Sequence, residues 1–598
     1  MDITNECKRN MRIKVNDDFI NSLENALTNS KAEKLPNDSH YPLYVGTDLM
    51  EQMKTNDNQI IWGRRGTGKT HLLKAFNQYI NDDPECQCLS YYISCDDIIF
   101  ETPVSLDFKD DLEKMKYCAR ETFKQFMYSL IDQIITTYED IIEKKYYFGE
   151  KKENEKKRIK SSCDKYLADL YGNIIEGVPQ KIDTNTNESI SLLCNKSHSA
   201  IKSAMVSIST PVDYKDSKLK LEFGADKERK NIEEIKSVKE KSIEYDFSFT
   251  HFHNSFIKMI KSLEAKCLYI CIDELWLIDE KSSISYQPLF LDYLKRTLFS
   301  IPNVSIKIAS IRETTKLNSK TTMLENFGLQ AGHDIIETAN LDSMQYTIDE
   351  LYEKFLEILW ARINYFSEER KNQNKDSIYS KEYIVNTIFK NEQNLNKLIS
   401  FSHGIPRYFL YAMKNALVNM KYDLSKYYLH SYYLSEVIIN IFINEKRSSM
   451  PMNDNSIYKI ITDYANTNGS NFFLLSTEHS KQFNVDINNL IYVEILHRIP
   501  SGMTPNSIMD SYKAYYIDTG KYFSVLKEKD INGYRQTIND FILRIPDDLR
   551  DNYKKYIINL DNITNNYIEC HNCGATFNKC HPVYQKYGCC TTCGFKII

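Results

Sequence analysis

Five short stretches of the chain concentrate apolar residues in runs of strand length. Between them lie segments whose apolar positions recur every three or four residues. The first run is Ile60, Ile61 and Trp62, followed at helical spacing by Leu72, Leu73 and Phe76. The others cover residues 89–95, 267–273, 304–310 and 334–338. Nearly unbroken apolar runs bounded by polar residues predict buried strands. Helical periodicity marks 112–138, 287–299 and 348–365. Strands alternating with helices predict an α/β fold built on a parallel sheet. Further along, helical patterns over 456–465 and 507–516 and short strands over 491–496 and 522–526 predict an α+β region.

The chain has 598 residues, 42% of them hydrophobic and 26% charged, with a formal net charge of −5. That length accommodates about three to five domains. The charge balance shows no global basic excess that would demand nucleic acid, although a local patch is compatible with it. No apolar run reaches transmembrane length, so no membrane partner is expected. The first residues lack an apolar core, which argues against a signal peptide. Fifteen cysteines in such a chain point to thiols or metal ligands rather than disulfides, and the cytoplasm is the expected location.

The strongest chemical signal follows the first strand. Gly63-Arg64-Arg65-Gly66-Thr67-Gly68-Lys69-Thr70 joins that strand to a helix, with His71 next in line. This is the context of a phosphate-binding P-loop. The glycines let backbone N–H groups turn toward phosphates, and the helix N-terminus adds partial positive charge. Lys69 is expected to reach the β- and γ-phosphates of ATP, and Thr70 to hold Mg²⁺. The run at 267–273 ends in Asp273-Glu274, where Asp273 would join the Mg²⁺ shell and Glu274 would polarise the attacking water. Two acids at a strand's carboxyl end suit ligand placement in such sheets. The strand at 304–310 would lie between these two, so that Ser310 or Arg312 projects at the γ-phosphate. Much later, His403-Gly404-Ile405-Pro406-Arg407 breaks one helix and opens the next.

These motifs resemble those of AAA+ ATPases, and more narrowly the origin-recognition-type initiator ATPases, with kinship to the STAND signalling ATPases. The resemblance covers about 40–420. It implies a P-loop NTPase parallel sheet of AAA+/ASCE type with a helical lid. By the same resemblance Arg407 is the sensor-2 arginine reaching the nucleotide from the lid. Ser310 sits at sensor 1, and Arg312 matches the arginine that STAND proteins carry at that strand end. One departure stands out: 321–333, where ring-forming relatives carry a trans-acting arginine, has none. Arg296 is a weak substitute. A nucleotide-gated switch or scaffold fits better than a processive motor, and a nucleotide-dependent oligomer is compatible with it.

An insert at about 140–245 is rich in charge of both signs and too polar for a large core. It reads either as a solvated excursion or as an arm that contacts a protein partner. His251 and His253, just beyond it, read as ordinary helix residues. At the far end, Cys570-x-x-Cys573 and Cys590-x-x-Cys593 have the spacing of a structural Zn²⁺ site. Each pair is followed by glycine, and the segment resembles a zinc ribbon. Its Lys579, Lys586 and Lys596 permit DNA contact. Phe577, Tyr584, Tyr587 and Phe595 are expected to form its core first. The expected organisation is an ATPase domain at 1–345, a helical lid at 346–445, a winged-helix-like region at 446–565 suggested by the resemblance, and the ribbon at 566–598.

Overall fold

The computed structural model describes residues 17–28, 31–83, 87–98, 111–146, 161, 178–179, 245–246, 249–262, 265–280, 285–320, 326–342, 347–373, 375, 377–419, 424, 428–448, 456–499, 511–560, 567–572, 576–579, 582–590 and 594–597. Most of the expected charged insert lies outside the described residues.

The fold is mixed α/β around a parallel five-stranded sheet. Its strands are β1 (Gln59–Trp62), β2 (Cys88–Ser94), β3 (Cys267–Asp273), β4 (Val304–Ser310) and β5 (Ile336–Asn340), in the order β2-β3-β4-β1-β5. The strand at 304–310 does lie between the loop strand and the acidic strand, as expected. β2 begins one residue earlier than the apolar run suggests and β5 two residues later. Trp62 is level with Ser310, and Ser94 with Asp273. The functional candidates therefore gather at the carboxyl edge of the sheet, where loops can converge on a ligand.

Successive strand residues face opposite sides. Ile60 and Trp62 pack with Phe123, Phe126 and Leu130 on one face, while Ile61 packs with Leu72, Leu73 and Phe76 on the other. Both faces are thus dry, which explains why the strand sequences are apolar without alternation.

A second, mostly helical body shares one continuous core. It includes α1 (Asp17–Thr28), the long helix Ile348–Phe366 and the helix Pro406–Asn419. Thr347 starts Ile348–Phe366 with a reciprocal capping box to Glu350. α1 belongs to this body rather than to the sheet: Phe19 sits edge-on to Tyr379 and Tyr383, and Tyr379 Oη and Ser367 Oγ donate to the Asp18 carboxylate, each at 2.7 Å.

The same core continues into an antiparallel sheet of Phe472–Ser476, Tyr512–Ile517 and Leu496–Arg498, with Tyr512–Ile517 in the middle. Three expectations fail here. Residues 512–517 form a strand, not the end of a helix. The segment 491–496 is split between the end of helix Asn484–Tyr492 and the start of a strand. The segment 522–526 is inside the helix Thr519–Lys529. Asp518 decides the last case: its Oδ1 accepts the Gly520 and Lys521 N–H groups and caps the helix, overriding the strand-like Tyr-Phe-Ser-Val-Leu pattern. Tyr515 and Tyr516 alternate between two cores, a period of two that resembles a helical stripe over so short a run.

Candidate functional site

The loop between β1 and the helix Lys69–Asp82 closes on itself. Lys69 Nζ donates to the carbonyls of Gly63 at 2.9 Å and Arg64 at 3.0 Å. Thr67 Oγ1 donates to the Arg64 carbonyl at 2.9 Å. Gly66 and Gly68 have φ of +81° and +100°, backbone that side chains rarely tolerate. Gly66 has a second constraint: a Cβ there would lie 2.9 Å from Arg407 Cβ and 3.0 Å from Ile405 Cγ2. The lid thus touches the loop directly, and the Arg407 N–H donates to the Gly66 carbonyl at 3.2 Å.

A cleft opens over this loop. Arg65, Gly66, Thr67, Gly68, Lys69, Thr70 and His71 line it, together with Glu274 and Arg407. Three distant stretches of the sequence therefore meet in one place. The lining also includes the apolar Leu43, Tyr44, Val45, Leu341 and Leu410, so the cleft offers N–H groups and cations to a phosphate chain and apolar contacts to a planar base. Open space around the Cβ direction of Gly68 keeps the loop interior accessible.

Sequence reasoning missed two cations. Lys354 and Arg362 of Ile348–Phe366 line the cleft with Ile358 between them. Their spacing of four and eight residues places them on one helical face, and that basic stripe was the available signal. Burial pulls the pKa of Lys354 down and that of Arg362 to about 10.

The acidic pair divides its roles by burial. Asp273 is fully buried; Tyr92 Oη donates to its Oδ2 at 2.9 Å and the Glu274 N–H to its Oδ1 at 2.9 Å. Glu274 is half-buried at the cleft with φ +57°, a left-handed turn that costs a side chain on the order of 1 kcal/mol. Burial first, and the Asp273 charge second, hold the Glu274 carboxyl above its usual range. A raised carboxylate is a stronger base. Burial lowers the Lys69 pKa, opposed by Asp273 and Glu274.

Among the other candidates, Ser310 and Arg312 are not part of the cleft lining, whereas His71 and Arg65 are. Ser310 is buried behind its edge and shares a hydrogen bond with Thr315 Oγ1 at 2.5 Å. Arg312 pairs with Glu337 of β5 and lies 5.1 Å over the Trp62 ring. His71 Nε2 contacts the His40 carbonyl at 3.0 Å, and burial drives its pKa to about 3, so it meets the cleft as a neutral ring. Arg65 lies 5.6 Å from the Trp276 ring and 5.7 Å from Tyr492.

Arg64 turns away entirely. Its guanidinium bonds Asp342 Oδ1 at 2.7 Å and His497 Nδ1 at 2.6 Å. His403 stacks on His497 with ring centroids 3.9 Å apart, and its Nε2 accepts the Thr519 N–H at 3.0 Å. His403, His497 and Asp518 have the look of a metal triad, with ligand-type atoms within 4.8 Å of one another. Lys446 Nζ, 2.6 Å from Asp518 Oδ2, already supplies the cation there.

Both histidines are held well below the ordinary value of 6.5. Burial is the main cause for each; His497 also acts on His403, Arg64 and Lys446 act on both, and Asp518 opposes the shift at His403. Thr519 and the Tyr516 ring complete the surroundings of His403, while Asp342 and Glu494 balance Arg64 and Lys446. The unfolded chain therefore binds protons that the folded one refuses. Their contribution to stability is fully present above about pH 6.5 and is lost as pH falls, at about 1.4 kcal/mol per unit for each proton. Denaturant midpoints at pH 7.5 and 5.5 are expected to differ, and a His403→Gln, His497→Gln protein is expected to show a smaller difference.

At the far end, Tyr567–Glu569 pairs antiparallel with Thr576–Asn578. Cys570 and Cys590 are buried in one small cluster with Tyr584. Gly594, φ +71°, donates its N–H to the Cys590 carbonyl at 3.0 Å. Cys573 and Cys593 lie outside the described residues. The aromatics are not all core: Tyr587 is 58% exposed and Phe595 47%, while Tyr584 packs with Ile568 and Ile597 against Cys570 and Cys590.

No known protein-family model matches the chain, and no curated protein matches it. Among solved structures it is similar to the Walker-type ATPase PABY2304 of Pyrococcus abyssi, with 12% identity and a TM-score of 0.33, over 83% of this chain and 97% of that one. It is also similar to the Aeropyrum pernix ORC2 protein in ADPNP–ADP complexes, with 9% identity and a TM-score of 0.28, over 79% of this chain and 89% of that one. At such scores neither structure bears on what this chain does. Among the described residues no helix is long and apolar enough to cross a membrane.

Proposed function

We propose that the chain is an ATP-binding and hydrolysing switch of AAA+ type that acts on DNA or a nucleoprotein complex. The supporting observation is the convergence in one cleft of the loop 66–70, Glu274 and Arg407. In this reading Lys69 leaves its carbonyl partners for the β- and γ-phosphates. Thr70 and Asp273 would hold Mg²⁺, which when bound would supply positive charge against the phosphates. Glu274 orients and deprotonates water, and Arg407 carries the state of the γ-phosphate to the lid. Ser310 and Arg312 act from the edge as sensors, Arg312 only after releasing Glu337. The working units are an ATPase domain expected over 1–345, of which α1 packs with the lid instead, the lid 346–445, a winged-helix-like region 446–565 and a zinc ribbon 566–598, in a cytoplasmic protein.

The DNA part rests on the ribbon. From Cys570 onward the chain has no acidic residue. Lys579, Lys586 and Lys596 are exposed, as are Tyr587 and Phe595, and the Lys586 ammonium lies 5.0 Å from the Tyr587 ring centroid. Cations beside exposed rings suit a phosphate backbone and stacked bases. Four thiolates, Cys570, Cys573, Cys590 and Cys593, would hold one structural zinc ion. About one zinc per chain is expected by metal analysis, and a Cys573→Ser, Cys590→Ser protein is expected to lose it while still binding ATP. A metal content near zero in the unaltered protein would remove the ribbon from the account.

A second reading is a STAND-like sensor or scaffold, a candidate for anti-phage defence, whose ATP-bound state assembles on a protein partner through the insert or ribbon. The lack of an arginine in 321–333 favours it over a ring motor. Steady-state ATP hydrolysis, alone and with double-stranded DNA, separates the two. Stimulation by DNA that disappears in Glu274→Gln supports the first; slow hydrolysis indifferent to DNA supports the second.

A further inference from the structure

We propose that the region after residue 446 is a latch on the nucleotide loop, engaged through Arg64, so that filling the cleft and docking of this region are energetically coupled. The proposal rests on the nucleotide-binding reading of the cleft.

Arg64 belongs to two places at once. Its carbonyl is the hub of the loop, accepting from Lys69 Nζ at 3.0 Å and Thr67 Oγ1 at 2.9 Å. Its side chain is buried among Asp342, the His403 carbonyl at 3.5 Å and His497 Nδ1. Because Arg64 can only donate, Nδ1 of His497 must accept, which leaves the ring proton on Nε2. That nitrogen faces Asp518 Oδ2 at 3.7 Å. Asp518 in turn caps Thr519–Lys529 and pairs with Lys446, whose ammonium lies 3.9 Å from the Tyr408 ring centroid. The chain of contacts therefore runs from the loop backbone to the N-terminus of a helix more than 450 positions later in the sequence.

The lid turn forms the second arm. His403 and Gly404 take φ of +53° and +61°, folding the turn so that its two ends face opposite ways. On one side His403 accepts from Thr519 N–H and exchanges a hydrogen bond with Thr519 Oγ1 at 2.7 Å. On the other, Arg407 donates its N–H to Gly66. When Lys69 gives up the Gly63 and Arg64 carbonyls to meet phosphate, the Arg64 carbonyl loses one of the bonds that fix it and keeps those from Thr67. Its side chain is already committed to His497. The loop and the strand pair Leu496–Arg498 and Tyr512–Ile517 therefore adjust together. Coupling of this kind is reciprocal: if docking favours nucleotide, nucleotide favours docking to the same degree.

The test uses the full chain, a fluorescent ATP analogue with Mg²⁺, and four proteins: unaltered, Arg64→Ala, His497→Ala and the double variant. Each single change is expected to weaken binding about tenfold, and the double about tenfold as well, because both cut one connection. A double variant weakened about a hundredfold, the product of independent effects, overturns the latch. Hydrogen exchange supplies a readout that mere folding would not move. Nucleotide is expected to slow exchange at 496–498 and 512–517 in the unaltered protein and not in His497→Ala. Equal exchange with and without nucleotide in the unaltered protein overturns the proposal. His497→Gln keeps an acceptor, so it is expected to stay near the unaltered affinity. If it binds as poorly as His497→Ala while melting normally, the acceptor role is wrong. An unaltered protein that binds no nucleotide removes the proposed function along with the latch; one that binds while the variants multiply removes the latch alone.

Discussion

Glu274→Gln is expected to lower ATP turnover by about 10²–10⁴-fold and to leave ATP binding nearly unchanged. The amide keeps the size and the left-handed turn of the carboxylate but cannot take a proton. The raised pKa of Glu274 comes from burial and from Asp273, neither of which the substitution alters. Lys69→Ala, measured beside it, is expected to lose binding and turnover together, because its ammonium is the buried loop cation that lines the cleft. Turnover and equilibrium binding of both proteins check the pair. Hydrolysis by Glu274→Gln at the unaltered rate would show that another group activates water. Glu274 would then keep only a structural part in the turn that Asp273 holds.

Gly66→Ala is expected to weaken nucleotide binding by at least about tenfold, a loss that combines two physical causes. A side chain at φ +81° costs on the order of 1 kcal/mol. The new methyl also lies 2.9 Å from Arg407 Cβ and 3.0 Å from Ile405 Cγ2, so the lid turn must retreat. The Arg407 N–H bond to the Gly66 carbonyl is the contact most exposed to that retreat. Gly68→Ala is the informative comparison: its φ is +100°, but nothing lies within 4 Å of the added carbon. It carries backbone strain alone. Binding constants for the two proteins separate lid displacement from strain. Equal losses would mean that lid contact at Gly66 matters little to the nucleotide.

The parallel sheet is readable because its three central strands, β3, β4 and β1, are buried on both faces and their loop ends are marked by chemistry. Gly63 to Thr70 and Asp273-Glu274 announce themselves through spacing, and the cleft does bring Lys69, Glu274 and Arg407 together. Arg64 was not readable: nothing in Gly-Arg-Arg-Gly distinguishes an arginine that faces phosphate from one gripped by Asp342 and His497. Lys354 and Arg362 were hidden inside an ordinary amphipathic helix. The region after 446 was misread where local capping at Asp518 and tertiary pairing at Tyr515 overrode short-range propensity. Its strands are short, and their partners lie far away in sequence.

The placement of α1 bears on how the chain is made. Tyr379 and Asp18 are 361 positions apart and meet in the helical body. The whole parallel sheet, from Gln59 to Asn340, lies between them in sequence. A ribosome therefore releases α1 long before its packing partners exist. The sheet is complete first, while Phe19, Leu23 and Leu27 wait with their apolar face uncovered. Such long-range closure is slow and invites mispairing during synthesis. α1 is accordingly expected to dock only after Ile348–Phe366 and Pro406–Asn419 have been made.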